Sequence, residues 1–245
     1  MTATSASATR RIVHCMGTVF SFDVREPGVP GTVLDEAAAL LGQIDATFST
    51  YREGSEISRL GRGELPVEAC SAEVRFVLGE CERYRLLTGG YFSAYAARSL
   101  DPSGYVKGWA IEGMSDLLRA AGSARHCVNG GGDVQCVGGT TATPWRIGIA
   151  DPRRAGTIIT VVSGTDYAVA TSGIERRGAH IVDPHTGAPP SGLLSLTVVG
   201  PRLSEADAYA TAGFAMGRGA REWAEGLPGY RVVAVTDDGG TWSTF

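Results

Sequence analysis

Ala124-Arg125-His126-Cys127-Val128-Asn129-Gly130-Gly131-Gly132-Asp133-Val134-Gln135-Cys136-Val137 reads as strand, glycine turn, strand. Residues 124–129 and 133–137 are short strand-like runs carrying Ala124, Cys127 and Val128, and Val134, Cys136 and Val137. Three glycines in a row allow a tight turn, and also a close approach of backbone to a ligand. Taken alone, the segment favours the hairpin. No helix follows the glycines, so this is not a dinucleotide fingerprint. No Gly-Lys-Ser/Thr follows either, so it is not a Walker loop.

Outward from this hairpin the pattern stays strand-rich. Residues 145–150, 157–163, 167–171, 193–199 and 230–235 read as strands, and residues 17–24 alternate apolar and polar positions. Three helices are expected. In residues 32–48, Leu34, Ala38, Leu41, Ile44 and Phe48 recur at helical spacing behind Thr32 as N-cap. In residues 71–87, Val74, Val77, Leu78, Cys81 and Tyr84 form the inner face and Gly89-Gly90 the stop. The third runs over residues 105–121 and stops at Gly122. Residues 48–60 read as polar and turn-rich. Strands and helices interleave without a βαβ rhythm, and the run of strands in the second half favours α+β. Residues 1–11, rich in Ser, Thr and Ala, read as a flexible tail ahead of one domain over 12–245.

The chain of 245 residues is 43% apolar, enough for a sizeable core. A net charge of −4 argues against a general nucleic-acid or anionic-membrane binder. No apolar run is long enough to span a bilayer. No hydrophobic segment follows Arg10-Arg11 and none precedes Cys15, so neither a signal peptide nor a lipidation site is expected, and the location expected is cytoplasmic. The five cysteines form no C-x-x-C and read as buried free thiols. The four histidines show no zinc spacing with them.

Three further segments carry chemistry. Ser204-Glu205-Ala206-Asp207-Ala208-Tyr209-Ala210-Thr211-Ala212-Gly213-Phe214 reads as a helix with Ser204 as N-cap and Gly217 as stop. Asp207 and Thr211 then share one side of it and offer hard oxygens of the kind Mg2+ takes. The plainer alternative is a threonine bonded to its own helix beside a solvated aspartate. Gly104-Tyr105-Val106-Lys107-Gly108 places Lys107 in the first turn of the third helix, where the dipole disfavours a cation unless an anionic ligand is near. A lysine running into solvent is the alternative. His180-Ile181-Val182-Asp183-Pro184-His185-Thr186-Gly187 ends in an Asp/Thr turn, with His180 either facing a cleft or structural.

Taken in order, these pieces resemble the FAD:protein FMN transferases, the ApbE-type flavin transferase family. The resemblance rests on Met16-Gly17-Thr18, Phe48-Ser49-Thr50-Tyr51-Arg52 with Ser55-Glu56-Ile57-Ser58, and Asp101 through Lys107-Gly108. It continues through Asn129-Gly130-Gly131-Gly132-Asp133, Trp145-Arg146-Ile147-Gly148-Ile149 with Asp151-Pro152, Thr171-Ser172-Gly173, His180 through Gly187, and Ala206-Asp207-Ala208 with Thr211.

The resemblance implies an ApbE-like (T-fold-like) α+β architecture around a flavin cleft. It implies Mg-dependent transfer of the FMN moiety of FAD to a Thr or Ser hydroxyl of an acceptor protein, releasing AMP. By residue-wise carry-over, Met16 and Tyr51 line the flavin or adenine pocket, and Asp101 and Lys107 hold polar groups of FAD. Tyr91, Phe92, Ser93, His180 and Ile181 fall among the FAD contacts. The Gly104 carbonyl with Asp207 and Thr211 ligates Mg2+, and His180 is the general base. Two segments depart from the pattern: the family's usual Thr-Asp-Gly-Ala-Phe-Asp-Pro reads Thr88-Gly89-Gly90-Tyr91-Phe92-Ser93-Ala94 here, and its more usual Asp-Leu-Gly-Gly-Ile-Ala-Lys reads Asp101-Pro102-Ser103-Gly104-Tyr105-Val106-Lys107. Flavin storage, or Mg-dependent FAD hydrolysis to FMN and AMP, are the alternatives, and a homodimer is left open.

Overall fold

The computed structural model describes residues 9–25, 28–96, 99–174 and 181–245. Among them, ten strands and six α-helices are arranged as an α+β fold. Eight strands form one antiparallel sheet. β1 (Thr9–Cys15), β2 (Thr18–Val24), β3 (His126–Gly130), β4 (Asp133–Val137), β7 (Tyr167–Gly173), β8 (Leu193–Gly200), β9 (Arg231–Thr236) and β10 (Thr241–Ser243) lie side by side in that order. β5 (Trp145–Ala150) and β6 (Ile158–Gly164) form a separate antiparallel ribbon. The chain leaves the sheet after β4, makes the ribbon, and returns as β7 beside β4.

Strand alternation splits the buried residues between two faces. Phe20, Phe22, Val24, Val128, Ala168, Ala170, Leu196, Val198, Val232 and Ala234 face the helices. Val134, Cys136, Tyr167, Val169 and Val233 face the ribbon, where Trp145, Ile149 and Val162 complete a smaller core. The Trp145 indole N–H donates to the Val137 carbonyl at 2.9 Å and anchors the ribbon to the sheet.

The helical layer comprises α1 (Gly31–Phe48), α2 (Glu56–Gly61), α3 (Ala72–Leu87), α4 (Ser103–Ala120), α5 (Leu203–Met216) and α6 (Ala220–Glu225). α5 lies across β7 and β8, α4 lies on β3, and the two helices pack on each other. Their approach depends on Gly108: a Cβ there would sit 2.6 Å from the Leu203 carbonyl oxygen and 2.8 Å from the Asp207 Cβ. None of the described helices is long and apolar enough to cross a membrane.

The glycine-rich segment forms the expected hairpin. Gly130 pairs with Asp133, leaving Gly131 and Gly132 as a two-residue loop with φ of 62° and 101°, the backbone sign of a type I′ turn. Cys15 pairs with Thr18 in the same way, and there Met16 takes a φ of 53°.

Several boundaries differ from expectation. Thr9, Arg10 and Arg11 belong to β1 and pair with Val24, Asp23 and Phe22, so the structured chain starts before residue 12. Residues 1–8 lie outside the described residues. Residues 48–60 contain α2, capped by the Ser55 hydroxyl, which accepts from the Ser58 N–H. Ser71 caps α3 by accepting from Val74. Thr32 and Ser204 do not cap: Pro30 and Arg202, two residues earlier in each case, stand at the N-cap positions. Both the backbone N–H and the hydroxyl of Ser204 instead donate to Glu112 on α4.

Candidate functional site

A two-lobed cleft opens where the first turns of α4 cross α5. One lobe, about 280 Å³, lies between the Gly131-Gly132 turn, residues 91–96, strand β5 and the adjoining parts of β7 and β8. The other, about 670 Å³, lies between the Met16-Gly17 turn and residues 45–52 at the end of α1. Gly17, Thr18, Asp101, Ser103 and Lys107 line both lobes and form the neck between them.

The neck is a charge cluster built from three elements. Lys107, in the second turn of α4, reaches Asp133 Oδ2 at 2.5 Å and Asp207 Oδ1 at 3.3 Å. Asp133 opens β4 and its Oδ1 accepts from the Thr171 N–H on β7 at 2.9 Å. Asp207 Oδ2 accepts from the Gly108 N–H at 2.8 Å. Both carboxylates are only 2% exposed. Burial raises the Asp207 carboxyl above its ordinary value; Lys107 works against that shift, and the charge of Asp133 adds to it. Two buried carboxylates thus share one ammonium, an excess of negative charge that favours a further cation.

This geometry changes two readings made from the sequence. Lys107 does not stand in the first turn, because α4 starts at Ser103, and its place follows from Asp133 and Asp207 rather than from the helix dipole. Neither plainer alternative fits: Asp207 is buried and not solvated, and the Lys107 ammonium is held by carboxylates.

Gly104 and Thr211 face each other across the helix crossing, a Cβ on Gly104 lying 3.1 Å from Thr211 Oγ1. Thr211 Oγ1 is 3.5 Å from Ser172 Oγ at the end of β7. The Gly108 N–H is the donor that helical geometry directs at the Gly104 carbonyl, and here it also serves Asp207. Gly104 thus touches Thr211, and Asp207 binds the Gly108 N–H one turn further along α4; Asp207 and Thr211 carry hard oxygens of the type Mg2+ takes. Among the described residues no group of three or more His, Cys, Asp or Glu side chains is placed to hold a metal. A bound Mg2+ would thus draw on hydroxyl, carbonyl and substrate oxygens beside Asp207.

The remaining predicted residues divide between the lobes. Tyr91, Phe92, Ser93 and Ile181 line the smaller one, with Gly104, Asp207 and Thr211. Met16 and Tyr51 line the larger one, where Tyr51 is 97% exposed. Asp101 stands at the neck, its Oδ1 accepting from the Ser103 N–H at the start of α4. Tyr91 meets His185 edge-on, with ring centroids 4.5 Å apart. The 183–187 turn forms as its composition suggests: the Asp183 carboxylate accepts from the His185 N–H and the Thr186 hydroxyl. His180 lies outside the described residues.

The sequence alone assigns Asp133 no role. The available signal was an acidic residue opening a strand whose other positions are Val, Gln, Cys and Val; every residue of that strand is buried.

The sequence model of the ApbE family matches residues 16–98 and 93–234. A FAD:protein FMN transferase of Vibrio cholerae is 28% identical over 290 residues, covering 91% of this chain and 86% of that protein. One from Rhodobacter capsulatus is 34% identical over 163 residues, covering 62% of this chain but only 31% of that protein. Among solved structures, a flavin transferase ApbE from Vibrio cholerae superposes with a TM-score of 0.83 at 25% identity, over 97% of each chain. The apo form of the Pseudomonas stutzeri flavinyl transferase ApbE gives 0.86 at 22% identity, over 100% of this chain and 97% of that one, a likeness of fold.

Proposed function

The chain belongs to the ApbE family, and we propose that it transfers the FMN moiety of FAD to a Thr or Ser hydroxyl of an acceptor protein. The observation that carries this reading is the neck, where Asp133 and Asp207 hold Lys107 between two lobes. FAD has the matching form, two ring-bearing halves joined by a diphosphate.

In this reading the Lys107 ammonium binds the diphosphate, and Asp133 and Asp207 fix its position by tying α4 to β4 and α5. Asp207, Thr211 and the Gly104 carbonyl hold Mg2+, which when bound offsets charge on the phosphate oxygens. The acceptor oxygen forms a bond to the FMN phosphorus. The bond from that phosphorus to the bridging oxygen breaks, and AMP leaves with that oxygen. His180, which precedes the cleft residue Ile181 in the chain, takes the hydroxyl proton, a role an imidazole can fill. Tyr51 and Met16 contact one end of FAD; Tyr91, Phe92, Ser93 and Ile181 contact the other.

Incubation with FAD, Mg2+ and a candidate acceptor tests the proposal. Flavin fluorescence that stays with the denatured acceptor, together with free AMP, is the expected result. FMN and AMP without an acceptor adduct would replace transfer by hydrolysis, and bound, intact FAD would replace it by storage. His180→Ala lowers the chemical step by about 10²–10⁴-fold with FAD binding retained; unchanged turnover would remove His180 from the base role.

A further inference from the structure

Cys127 on β3 and Cys136 on β4 stand directly opposite each other in the antiparallel register. Opposed residues send both side chains to one face, with Cα atoms about 4.5–5.5 Å apart. Disulfides span Cα separations of about 4.4–6.8 Å. The two sulfur atoms are already 3.7 Å apart, and the Cys136 thiol donates to Cys127 Sγ. The remaining cysteines are placed otherwise: Cys15 donates to the Leu41 carbonyl, Cys70 to the Pro66 carbonyl, and Cys81 is packed in the helical core. All five are free thiols.

We propose that Cys127 and Cys136 are a reversible dithiol that a peroxide oxidises to a cross-strand disulfide within the folded sheet. Access sets the order of events. Cys127 is half-buried and Cys136 wholly buried, so the oxidant meets Cys127 first. The hydrogen bond to Cys127, followed by burial, raises the Cys136 thiol far above its ordinary value and keeps it protonated. Cys127 gives up its thiol proton and its sulfur attacks one peroxide oxygen; the O–O bond breaks, Cys127 becomes a sulfenic acid, and the other oxygen leaves as hydroxide that takes up that proton as water. Cys136 sulfur then attacks Cys127 sulfur. The S–O bond breaks, the Cys136 proton goes to the leaving hydroxide, and a second water departs. A reducing dithiol reverses the reaction by exchange. The bond would tie together the two strands whose turn presents Asp133 to Lys107.

The test uses the intact chain. Folded protein is treated with hydrogen peroxide, unfolded in urea, alkylated with iodoacetamide and digested with trypsin. Cys127 and Cys136 fall in one tryptic peptide, residues 126–146. The expected product is that peptide two hydrogens lighter and unalkylated, restored to double alkylation by dithiothreitol. Cys127→Ser and Cys136→Ser each abolish the product. Circular dichroism confirms the sheet in both, and the half-buried Cys127→Ser suffices if the core variant does not fold. Double alkylation after peroxide, sulfinic acid at Cys127, or a disulfide linking two chains in place of the internal bond would overturn the proposal.

Discussion

Helix α4 carries a buried polar cluster towards each end, and the two follow opposite plans. Near its C-terminus, His126 on β3 sits between Ser115 and Ser123, with Nε2 2.8 Å from the Ser115 hydroxyl and Nδ1 3.0 Å from the Ser123 hydroxyl. All three are buried, and each ring nitrogen has a partner. Burial lowers the His126 pKa to about 4, and the charge of Arg119 adds to the effect, so the ring is neutral. Near the N-terminus, Lys107, Asp133 and Asp207 form a charged cluster open to the cleft, with more negative than positive charge. The first cluster is complete in itself, as a structural polar group must be. Among the described residues the second keeps an excess of negative charge beside the cleft, and such a perturbed charge cluster in a cleft is the kind that binds ligands.

The largest expected effect breaks the charged cluster. Lys107→Ala leaves two buried carboxylates without their cation. Losing one partner of a buried pair costs about 3–5 kcal/mol, read as a lower urea midpoint, and flavin transfer falls with it. A midpoint within error of the parent would mean that the clasp contributes nothing to the folded state.

The neutral cluster comes next. The unfolded chain takes a proton on His126 near pH 6.5 and the folded chain only near pH 4. Its contribution is therefore full above pH 6.5 and is lost as pH falls towards 4, by roughly 3 kcal/mol in all. Asp207 has the opposite sign, since its raised pKa makes the folded state favour protonation as pH falls. The telling quantity is thus the difference in unfolding free energy between the parent and His126→Gln, measured from pH 7 to 4. That difference shrinks with falling pH if His126 is held neutral, and stays flat if it is not.

Gly108→Ala sharpens the comparison at the helix crossing. The added Cβ must push α5 away from α4, with a loss of about 1–3 kcal/mol. It also separates Asp207 from Lys107, so FAD affinity should fall along with the melting temperature; a loss of stability with unchanged affinity would uncouple the crossing from the neck. The smallest effect on folding belongs to Tyr51→Ala. At 97% exposed, its loss should change stability by no more than about 0.5 kcal/mol, while equilibrium titration shows weaker FAD binding. Unchanged affinity would remove Tyr51 from the site.

Local pattern made much of the frame legible. β4 and β5 have the bounds that their apolar runs suggest, and α3 begins after the Ser71 cap. What escaped has physical reasons. β1 is an edge strand with Arg10, Arg11 and a 64% exposed Ile12, so backbone pairing with β2 holds it and no buried stripe announces it. α2 and α6 have six residues each, too few to show a helical period. At the site, Asp207 and Thr211 were legible because one turn of helix relates them. The Lys107–Asp207 contact joins positions 100 residues apart, and no local spacing encodes such a partner.

The β5–β6 ribbon has a consequence for how this protein can diversify. β4 and β7 are hydrogen-bonded to each other, so the ribbon between them is an excursion that the main sheet does not need for continuity. Ile147, Gly148, Ile149 and Ala150 nonetheless form one side of the cleft. The roof of the cleft can therefore be reshaped, lengthened or exchanged while the floor, with its fixed ammonium, stays as it is.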